Sequence, residues 1–336
     1  MRTHVDVGDK TLKNDMFDVI QADLEVLESV LEETVVSETA LVTHIGTYLI
    51  ASGGKRLRPA LFLLAARGGV AFERERAMPI AAALELIHTA SLVHDDVIDE
   101  ADTRRGAATT NTKWGNQIAI LSGDYIFARA FKLVAEHGYP SIVYEKLAQL
   151  VCTLSEGEIL QDHSAYQIPE GEDSYYERIR KKTADFLEIC CELGAFIGGM
   201  CAADIERMAL YGHAIGMAFQ ITDDLLDLRQ TSEHIGKPAG RDLAQGYVTL
   251  PVIRALSVLD APERAELAAL ITNPKMAEIE VARALTLVRM TDGIDYAQEK
   301  ADAYLARAKD ALPASLDAQI RETCLMAADF IGHREF

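Results

Sequence analysis

Apolar residues recur at helical spacing along most of the chain. In residues 16–34, MFDVIQADLEVLESVLEET, they follow the period of about 3.6 residues that places them on one helix face. The same pattern continues through four further segments, at 79–99, 174–200, 203–229 and 261–330. We place Pro79 in the first turn of its helix, where a missing N–H costs no hydrogen bond. Since no strand-and-hairpin series is evident, the pattern predicts an all-α helical bundle.

Four breaks interrupt the helical pattern, and none has the composition of an interdomain linker. They lie at residues 51–59, 102–116, 167–173 and 232–247. No repeat of constant period and no low-complexity tract is present. We therefore expect a single domain over residues 1–336, with a polar N-terminal tail at residues 1–15.

Charge and cysteine content narrow the possible classes of protein. The 336 residues include 33 Lys and Arg against 52 Asp and Glu, a net charge of −19. Nucleic acids and anionic membranes require a cationic surface, so we expect neither as a partner. No apolar run reaches the length of a membrane span, and the polar N-terminus has no signal segment, so we expect no transmembrane segment. The five cysteines form no CxxC pair, which indicates reduced thiols in a cytoplasmic protein.

Two acidic motifs of the same form, HDDVID and TDDLLD, each follow an apolar helical run. Helical positions four residues apart share a face, so Asp95 lies beside Asp99, and Asp223 lies beside Asp227. One such motif alone is typical of a solvated acidic face. Two copies favour a different function, because carboxylate oxygens near a helix end suit Mg²⁺ shared with substrate phosphates.

Basic residues cluster beside the loops. They are Lys55, Arg56 and Arg58 in GGKRLRP, Arg104 and Arg105 after the first acidic motif, Lys181 and Lys182, and Lys237 in GKPAGRD. Arginine forks bind phosphate oxygens in pairs, and lysine supplies a point charge. For Arg56 and Lys181, neutralisation of nearby carboxylates is an equal alternative. We expect Arg104 and Arg105 to serve substrates rather than the adjacent aspartates. The pattern predicts one diphosphate bound through metal, another bound directly by cations, and an apolar cavity between them.

The motifs together resemble those of the all-trans polyprenyl diphosphate synthases. The segments GGKRLRP, ELIHTASLVHDDVIDEADTRRG, SGDYIFARAF, KTADFLE, FQITDDLLD and GKPAGRDL occur in that family's order, over about residues 16–333. The resemblance implies the isoprenoid synthase type of all-α bundle, with a central apolar cavity, and a homodimer. It also implies head-to-tail condensation of isopentenyl diphosphate with an allylic diphosphate such as farnesyl diphosphate.

The resemblance further implies a role for each motif residue. Three Mg²⁺ ions would be held by Asp95, Asp99, Asp223 and Asp227, with Asp96 and Asp224 in support. Isopentenyl diphosphate would be bound by Lys55, Arg58, His88 and Arg105. The allylic diphosphate would contact Arg104, Lys182 and Lys237, while Thr183 and Gln220 would face the developing cation. Tyr247 departs from the family pattern, because many relatives have a lysine there.

Two small residues before the first acidic motif bear on product length. Ala90 and Ser91 lie one turn before Asp95, where the resemblance implies that bulky residues stop chain growth early. The motif also has no extra residues between Asp96 and Asp99, unlike short-chain bacterial relatives. We therefore predict a heptaprenyl to decaprenyl product, with octaprenyl favoured, for quinone side chains. The alternatives are a farnesyl or geranylgeranyl diphosphate synthase, or a non-catalytic subunit of a heteromeric synthase.

Overall fold

A computed structural model describes residues 16–229 and 240–332 of the chain. Helices account for nearly all of its regular secondary structure, which confirms the all-α prediction. The helices are α1 (Gln21–Thr34), α2 (Ala40–Ala51), α3 (Leu57–Arg67), α4 (Arg74–Ile98), α5 (Thr110–Trp114), α6 (Asn116–Ala135), α7 (Ser141–Ser164), α8 (Asp173–Ile179), α9 (Asp185–Ile197), α10 (Ala202–Arg229), α11 (Arg241–Ala244), α12 (Leu250–Val258), α13 (Ala261–Ile271), α14 (Glu278–Arg289), α15 (Gly293–Ala311) and α16 (Ala318–Gly332).

The described residues divide into two compact units. The first contains the chain up to Ala148 together with Cys190–Glu206 and Pro313–Ala327. The second contains Gln149–Ile189, Arg207–Leu312 and the residues from Ala328 onward.

Helix α4 forms the centre of the first unit. It packs against α1, α3 and α6, and it is buried on all sides between Ala77 and Leu86 because its residues there are almost all apolar. By length and composition α4 is the one described helix that could cross a membrane, but 78% of its most apolar window is buried inside the protein. The burial is that of a core helix of a globular unit.

The position predicted for Pro79 was wrong. The helix begins at Arg74, where the carbonyl oxygen of Glu73 accepts hydrogen bonds from the N–H groups of Arg76 and Ala77. Pro79 is therefore the sixth residue of α4 and not part of its first turn. The helix begins with the charged residues Arg74, Glu75 and Arg76, which give no apolar pattern from which its start could be predicted.

A short hairpin follows α4 in the first unit. Its strands, β1 (Thr103–Arg104) and β2 (Ala107–Ala108), pair antiparallel. The two turn residues, Arg105 and Gly106, both have positive φ values, of 52° and 77°, as a type I′ turn requires. The hairpin therefore places Arg104 in strand β1 and the adjacent Arg105 in the turn.

In the second unit, α10 packs closely against a π-helical turn that joins α8 to α9. This turn, Arg180–Ala184, holds the KKT sequence. A Cβ atom on Gly216 of α10 would lie 2.4 Å from Cα of Ala184, so only glycine allows this approach. The adjoining apolar core includes Leu225, Leu250 and Val288 from α10, α12 and α14.

Candidate active site

The first acidic motif ends α4. The N–H of Asp99 donates to the carbonyl oxygen of Asp95 at 2.8 Å, so these two half-buried carboxylates share one helix face as predicted. Asp96 is only 5% exposed and accepts a hydrogen bond from Nε of Arg104 at 2.7 Å. Burial raises the pKa of Asp96, and the bond from Arg104 opposes that shift. The expectation that Arg104 would not pair with these aspartates was wrong, because the hairpin turns back onto α4.

Three of the residues predicted to bind isopentenyl diphosphate meet at the GGKRLRP loop. Nη1 of Arg58 lies 3.0 Å from Nε2 of His88. A guanidinium cannot accept a hydrogen bond, so Nε2 of His88 accepts and the ring proton is on Nδ1. Burial, and next the charge of Arg58, lower the pKa of His88 well below its usual value, which keeps the ring neutral. Lys55 is exposed on the same loop.

Arg105 reaches this loop from the hairpin. Its Nη1 donates to the carbonyl oxygen of Gly53. A Cβ atom on Gly54 would lie 2.6 Å from that same nitrogen, so the glycine pair leaves room for the guanidinium. The structure therefore brings Lys55, Arg58, His88 and Arg105, four residues from three separate segments, into one region of the first unit.

A small cavity lies beneath the hairpin in the first unit. Its volume is about 50 Å³, and His88, Asp96, Arg104, Arg105 and Thr110 are among the residues that line it. This is space for one or two water molecules. The buried hydroxyl oxygen of Thr110 has no hydrogen-bond partner among the described residues, as expected for a group that meets water or ligand.

The structure decides between the two interpretations of Arg56 and Lys181. Arg56 is 7% exposed and forms ion pairs with Glu28 and Glu85. Nζ of Lys181 lies 2.5 Å from a carboxylate oxygen of Glu156. Both cations therefore neutralise carboxylates within the fold.

The second acidic motif, near the end of α10, belongs to a chain of buried and partly buried hydrogen bonds. The hydroxyl of Thr183 donates to Oε1 of Gln220 at 3.0 Å, and Nε2 of Gln220 donates to Asp224 at 3.0 Å. The Tyr175 hydroxyl donates to the other oxygen of Asp224 at 2.8 Å. Burial raises the pKa of Asp224. The structure thus joins Thr183 and Gln220 to this motif, through the π turn and α10.

Asp227 is oriented by the backbone of α11. Its two carboxylate oxygens accept from the N–H groups of Arg241 and Asp242 at 3.1 and 3.2 Å. Asp223, one turn earlier, is half-buried. Asp242 was not among the predicted site residues, although it lies in the motif GKPAGRDL. Burial, with the nearby carboxylates of Asp224 and Asp227, raises the pKa of Asp242 to about 8.

Lys182, predicted to contact the allylic diphosphate, is paired within the second unit. Its Nζ lies 2.8 Å from a carboxylate oxygen of Glu158 and 3.1 Å from Oε1 of Gln161. Lys237, predicted for the same role, lies outside the described residues. The backbone N–H of Tyr247 donates to the carbonyl oxygen of Asp242 at 2.8 Å.

The two residues proposed to control product length differ in exposure. Ala90 is completely buried in the first unit. Ser91 is partly exposed, and its hydroxyl donates to the carbonyl oxygen of His88 at 2.9 Å. Of the two, Ser91 alone reaches an accessible face of α4.

A further group of possible metal ligands lies outside both acidic motifs. Ligand atoms of Asp185, Glu188 and His213 all lie within 4.8 Å of one another. Arg180 pairs with Asp185 at 2.7 Å, however, and Nδ1 of His213 lies 2.9 Å from Glu188. These contacts account for the group as paired side chains in the fold.

The fold and the two acidic motifs define a class of protein. Aspartates on helix ends beside lysine and arginine clusters are typical of all-α enzymes that act on diphosphate esters with divalent metal. Residues 39–288 match the family model described as polyprenyl synthetase, and the chain belongs to that family. Its members are prenyltransferases of isoprenoid biosynthesis that depend on divalent metal and use isopentenyl and allylic diphosphates.

Relatives of this chain carry names that span several product lengths. It is 41% identical over 321 residues to heptaprenyl diphosphate synthase component 2 of Geobacillus stearothermophilus, covering 96% of this chain and 98% of that protein. It resembles the crystal structure of a decaprenyl diphosphate synthase from Rhodobacter capsulatus, with TM-score 0.88, 36% identity and coverage of 95% and 99%. A polyprenyl synthase from Caulobacter crescentus, solved with calcium and isoprenyl diphosphate, gives TM-score 0.88, 34% identity and coverage of 95% and 97%.

Proposed function

We propose that this protein is a Mg²⁺-dependent synthase of a long-chain all-trans polyprenyl diphosphate. It condenses isopentenyl diphosphate head to tail with an allylic diphosphate such as farnesyl diphosphate. The observation that carries the proposal is that Asp95 and Asp99 lie on one face of α4. The TDDLLD motif of α10 repeats this spacing. We favour an octaprenyl product for quinone side chains, because the relatives include heptaprenyl and decaprenyl synthases and Ser91 offers a small side chain.

The carboxylates fit the chemistry of Mg²⁺. Asp95, Asp99, Asp223 and Asp227 are half-buried oxygen donors near helix ends, which suits a hard cation that keeps some of its waters. Backbone bonds to Asp227 occupy one lone pair on each of its oxygens and leave another for a metal. The family resemblance implies three ions, with these four aspartates as ligands. When bound, they would neutralise the allylic diphosphate and stabilise charge on the departing pyrophosphate.

The basic residues of the first unit would bind the second substrate. Lys55, Arg58 and Arg105 supply positive charge and donors for the diphosphate of isopentenyl diphosphate. His88, kept neutral by burial and by Arg58, adds a donor at Nδ1. Arg104, Lys182 and Lys237 would contact the allylic diphosphate, so Arg104 would exchange or share its bond to Asp96.

The reaction would proceed by ionisation, attack and proton loss. The allylic C–O bond breaks and its electron pair leaves with pyrophosphate. The double bond of isopentenyl diphosphate attacks the resulting cation, and loss of one proton to pyrophosphate restores a double bond. The oxygen dipoles of Thr183 and Gln220 would face the cation, and an apolar surrounding would exclude water. No side chain is needed as general base.

Three wider properties belong to the same proposal. We propose that residues 1–336 work as one catalytic domain, in the cytoplasm and as a homodimer. The alternative is that activity requires a second kind of subunit. The Geobacillus relative is named as component 2 of its synthase, which suggests such a requirement for that protein. A farnesyl or geranylgeranyl product is the other alternative.

The test is product analysis with the purified full chain. It would be incubated with labelled isopentenyl diphosphate, farnesyl diphosphate and Mg²⁺, and the products dephosphorylated and sized by chromatography. We expect an octaprenyl product that disappears when the metal is chelated. A geranylgeranyl product, or a farnesyl product when dimethylallyl diphosphate replaces farnesyl diphosphate, would support the short-chain alternative. Activity only with a second subunit would support a heteromeric enzyme, and no product under any of these conditions would contradict the proposal.

A further inference from the structure

Arg56 is held in a rare backbone conformation by a set of buried polar contacts. Its φ of 48° is left-handed, although it is not glycine. Nε and Nη2 bond to the two oxygens of Glu28 at 2.7 and 3.0 Å, and Nη1 bonds to Glu85 at 2.7 Å. Nη2 also donates to the carbonyl oxygen of Ile50 at 3.1 Å. Such a conformation persists only where the surroundings determine it, and here they fix every guanidinium nitrogen.

This conformation sets the path of the loop that carries the predicted phosphate ligands. Arg56 is the residue before the first turn of α3, between exposed Lys55 and partly buried Arg58. A left-handed residue reverses the local direction of the chain, so it determines how its neighbours are presented. All three guanidinium nitrogens of Arg56 are bonded to protein oxygens, so an influence of Arg56 on a substrate would act through the loop.

Glu85 connects the same loop to α4. It is 3% exposed, lies one turn before His88 and lines the small cavity with His88 and Arg105. Positions three residues apart are neighbours on a helix. The Arg56–Glu85 pair thus ties the loop to the helix segment that carries His88. Burial lowers the pKa of Arg105, and the negative charge of Glu85 opposes that shift.

We propose that Arg56 and Glu85 are positioning residues for isopentenyl diphosphate, through the buried ion pair between them. The pair holds Lys55 and Arg58 in register with His88, so that the diphosphate meets preorganised donors. This inference rests on the proposed function and adds two residues to it. Neither residue needs to touch the substrate.

The test compares Michaelis constants for the two substrates. Arg56→Asn removes the guanidinium but keeps a residue that tolerates left-handed φ, and Glu85→Gln removes the partner charge with little change of shape. We expect each to raise KM for isopentenyl diphosphate by about tenfold or more, as small misplacements of binding groups do. KM for the allylic diphosphate should stay within about twofold, and Arg56→Lys should recover part of the loss. The double variant should raise KM for isopentenyl diphosphate little more than either single variant does, because both substitutions remove the same ion pair.

The matched control is Arg283→Gln, which breaks an exposed ion pair to Glu266 in the second unit and should change neither KM. If the buried variants fail to fold, Glu28→Gln serves instead, since Glu28 is 40% exposed and weakens only the outer contacts of Arg56. Equal rises in both Michaelis constants, or no rise in folded variants, would overturn the positioning role. An inactive wild-type protein would instead count against the proposed function.

Discussion

Nε of Arg104 lies 2.7 Å from Oδ1 of Asp96, an ion pair that joins the hairpin to the end of α4. Asp96 is buried and turned away from the face that Asp95 and Asp99 share, so this pair fixes the helix end without using either proposed metal ligand. The crowded acidic motif therefore has one carboxylate compensated by the protein itself. Asp95 and Asp99 are half-buried on the face that they share, where they would hold a metal ion.

Removing a single proposed metal ligand should greatly reduce catalysis. We expect Asp95→Asn and Asp223→Asn each to lower the rate of product formation by roughly 100-fold or more, the usual size of effect when one group that stabilises developing charge is lost. Raised Mg²⁺ should recover only part of the rate. The measurement is initial rate over a Mg²⁺ series, with Asp302→Asn, an exposed aspartate of α15, as control. Near-normal rates in the two variants would show that these carboxylates do not hold the catalytic metal.

The stability of the metal-free protein should fall as pH rises from about 4 to 8. The pKa of Asp242 is about 8 in the folded protein, above its usual value, so the folded state binds this proton more tightly than the unfolded state does. Loss of the proton with rising pH therefore destabilises the fold, by an amount on the order of a few kcal/mol. Urea unfolding at several pH values would measure it. Asp242→Asn should flatten this part of the curve, and an unchanged slope would contradict the assignment.

Ser91→Phe should shorten the product while leaving the protein folded. Ser91 is partly exposed on α4, so a larger ring can project from the helix without displacing the core. Ala90→Phe is the informative contrast, because Ala90 is fully buried and overpacking costs about 1–3 kcal/mol. Chromatography of the dephosphorylated products and thermal unfolding would separate the two effects. Products of unchanged length from folded Ser91→Phe would mean that this face does not meet the growing tail.

Gly54→Ala should weaken binding of isopentenyl diphosphate with little loss of stability. The added methyl group would lie 2.6 Å from Nη1 of Arg105, and the flexible end of that side chain can move aside. Arg105 would then lose its bond to Gly53 and its place beside the loop. We expect KM for isopentenyl diphosphate to rise about tenfold, with Tm nearly unchanged. Gly216→Ala, which meets the backbone of Ala184, should instead lower Tm.

The local sequence pattern was sufficient to predict the helices and the helix face that the outer aspartates of each acidic motif share. Residues four apart on a helix must share a face, so the relation of Asp95 to Asp99 follows once α4 is recognised. The same reasoning failed at Pro79, because a charged first turn gives no apolar signal. It also joined 261–330 into one helical stretch, whereas the structure has four separate helices there.

Contacts between distant segments could not be predicted from one sequence. Arg56 meets Glu28 and Glu85, which are 28 and 29 residues away in the chain. Nothing in the local pattern distinguishes these carboxylates from others of similar spacing. The raised pKa of Asp242 has the same origin, since it depends on burial and on carboxylates brought near by folding. The motifs therefore identified the residue types of the site, and the tertiary fold determined which of them pair.

The π turn at Arg180–Ala184 determines how this part of the polypeptide responds to the loss of one residue. A π turn holds one residue more than the α-helical turn that it replaces, so deleting one residue would restore a regular helix. Because the π turn takes up this extra residue, the deletion would leave α8 and α9 in nearly the same register and would displace the residues of the turn itself, Thr183 among them. Thr183 could then no longer meet Gln220, although every side chain of the pair would still be present. Point substitutions should thus be tolerated here more readily than the deletion of a single residue.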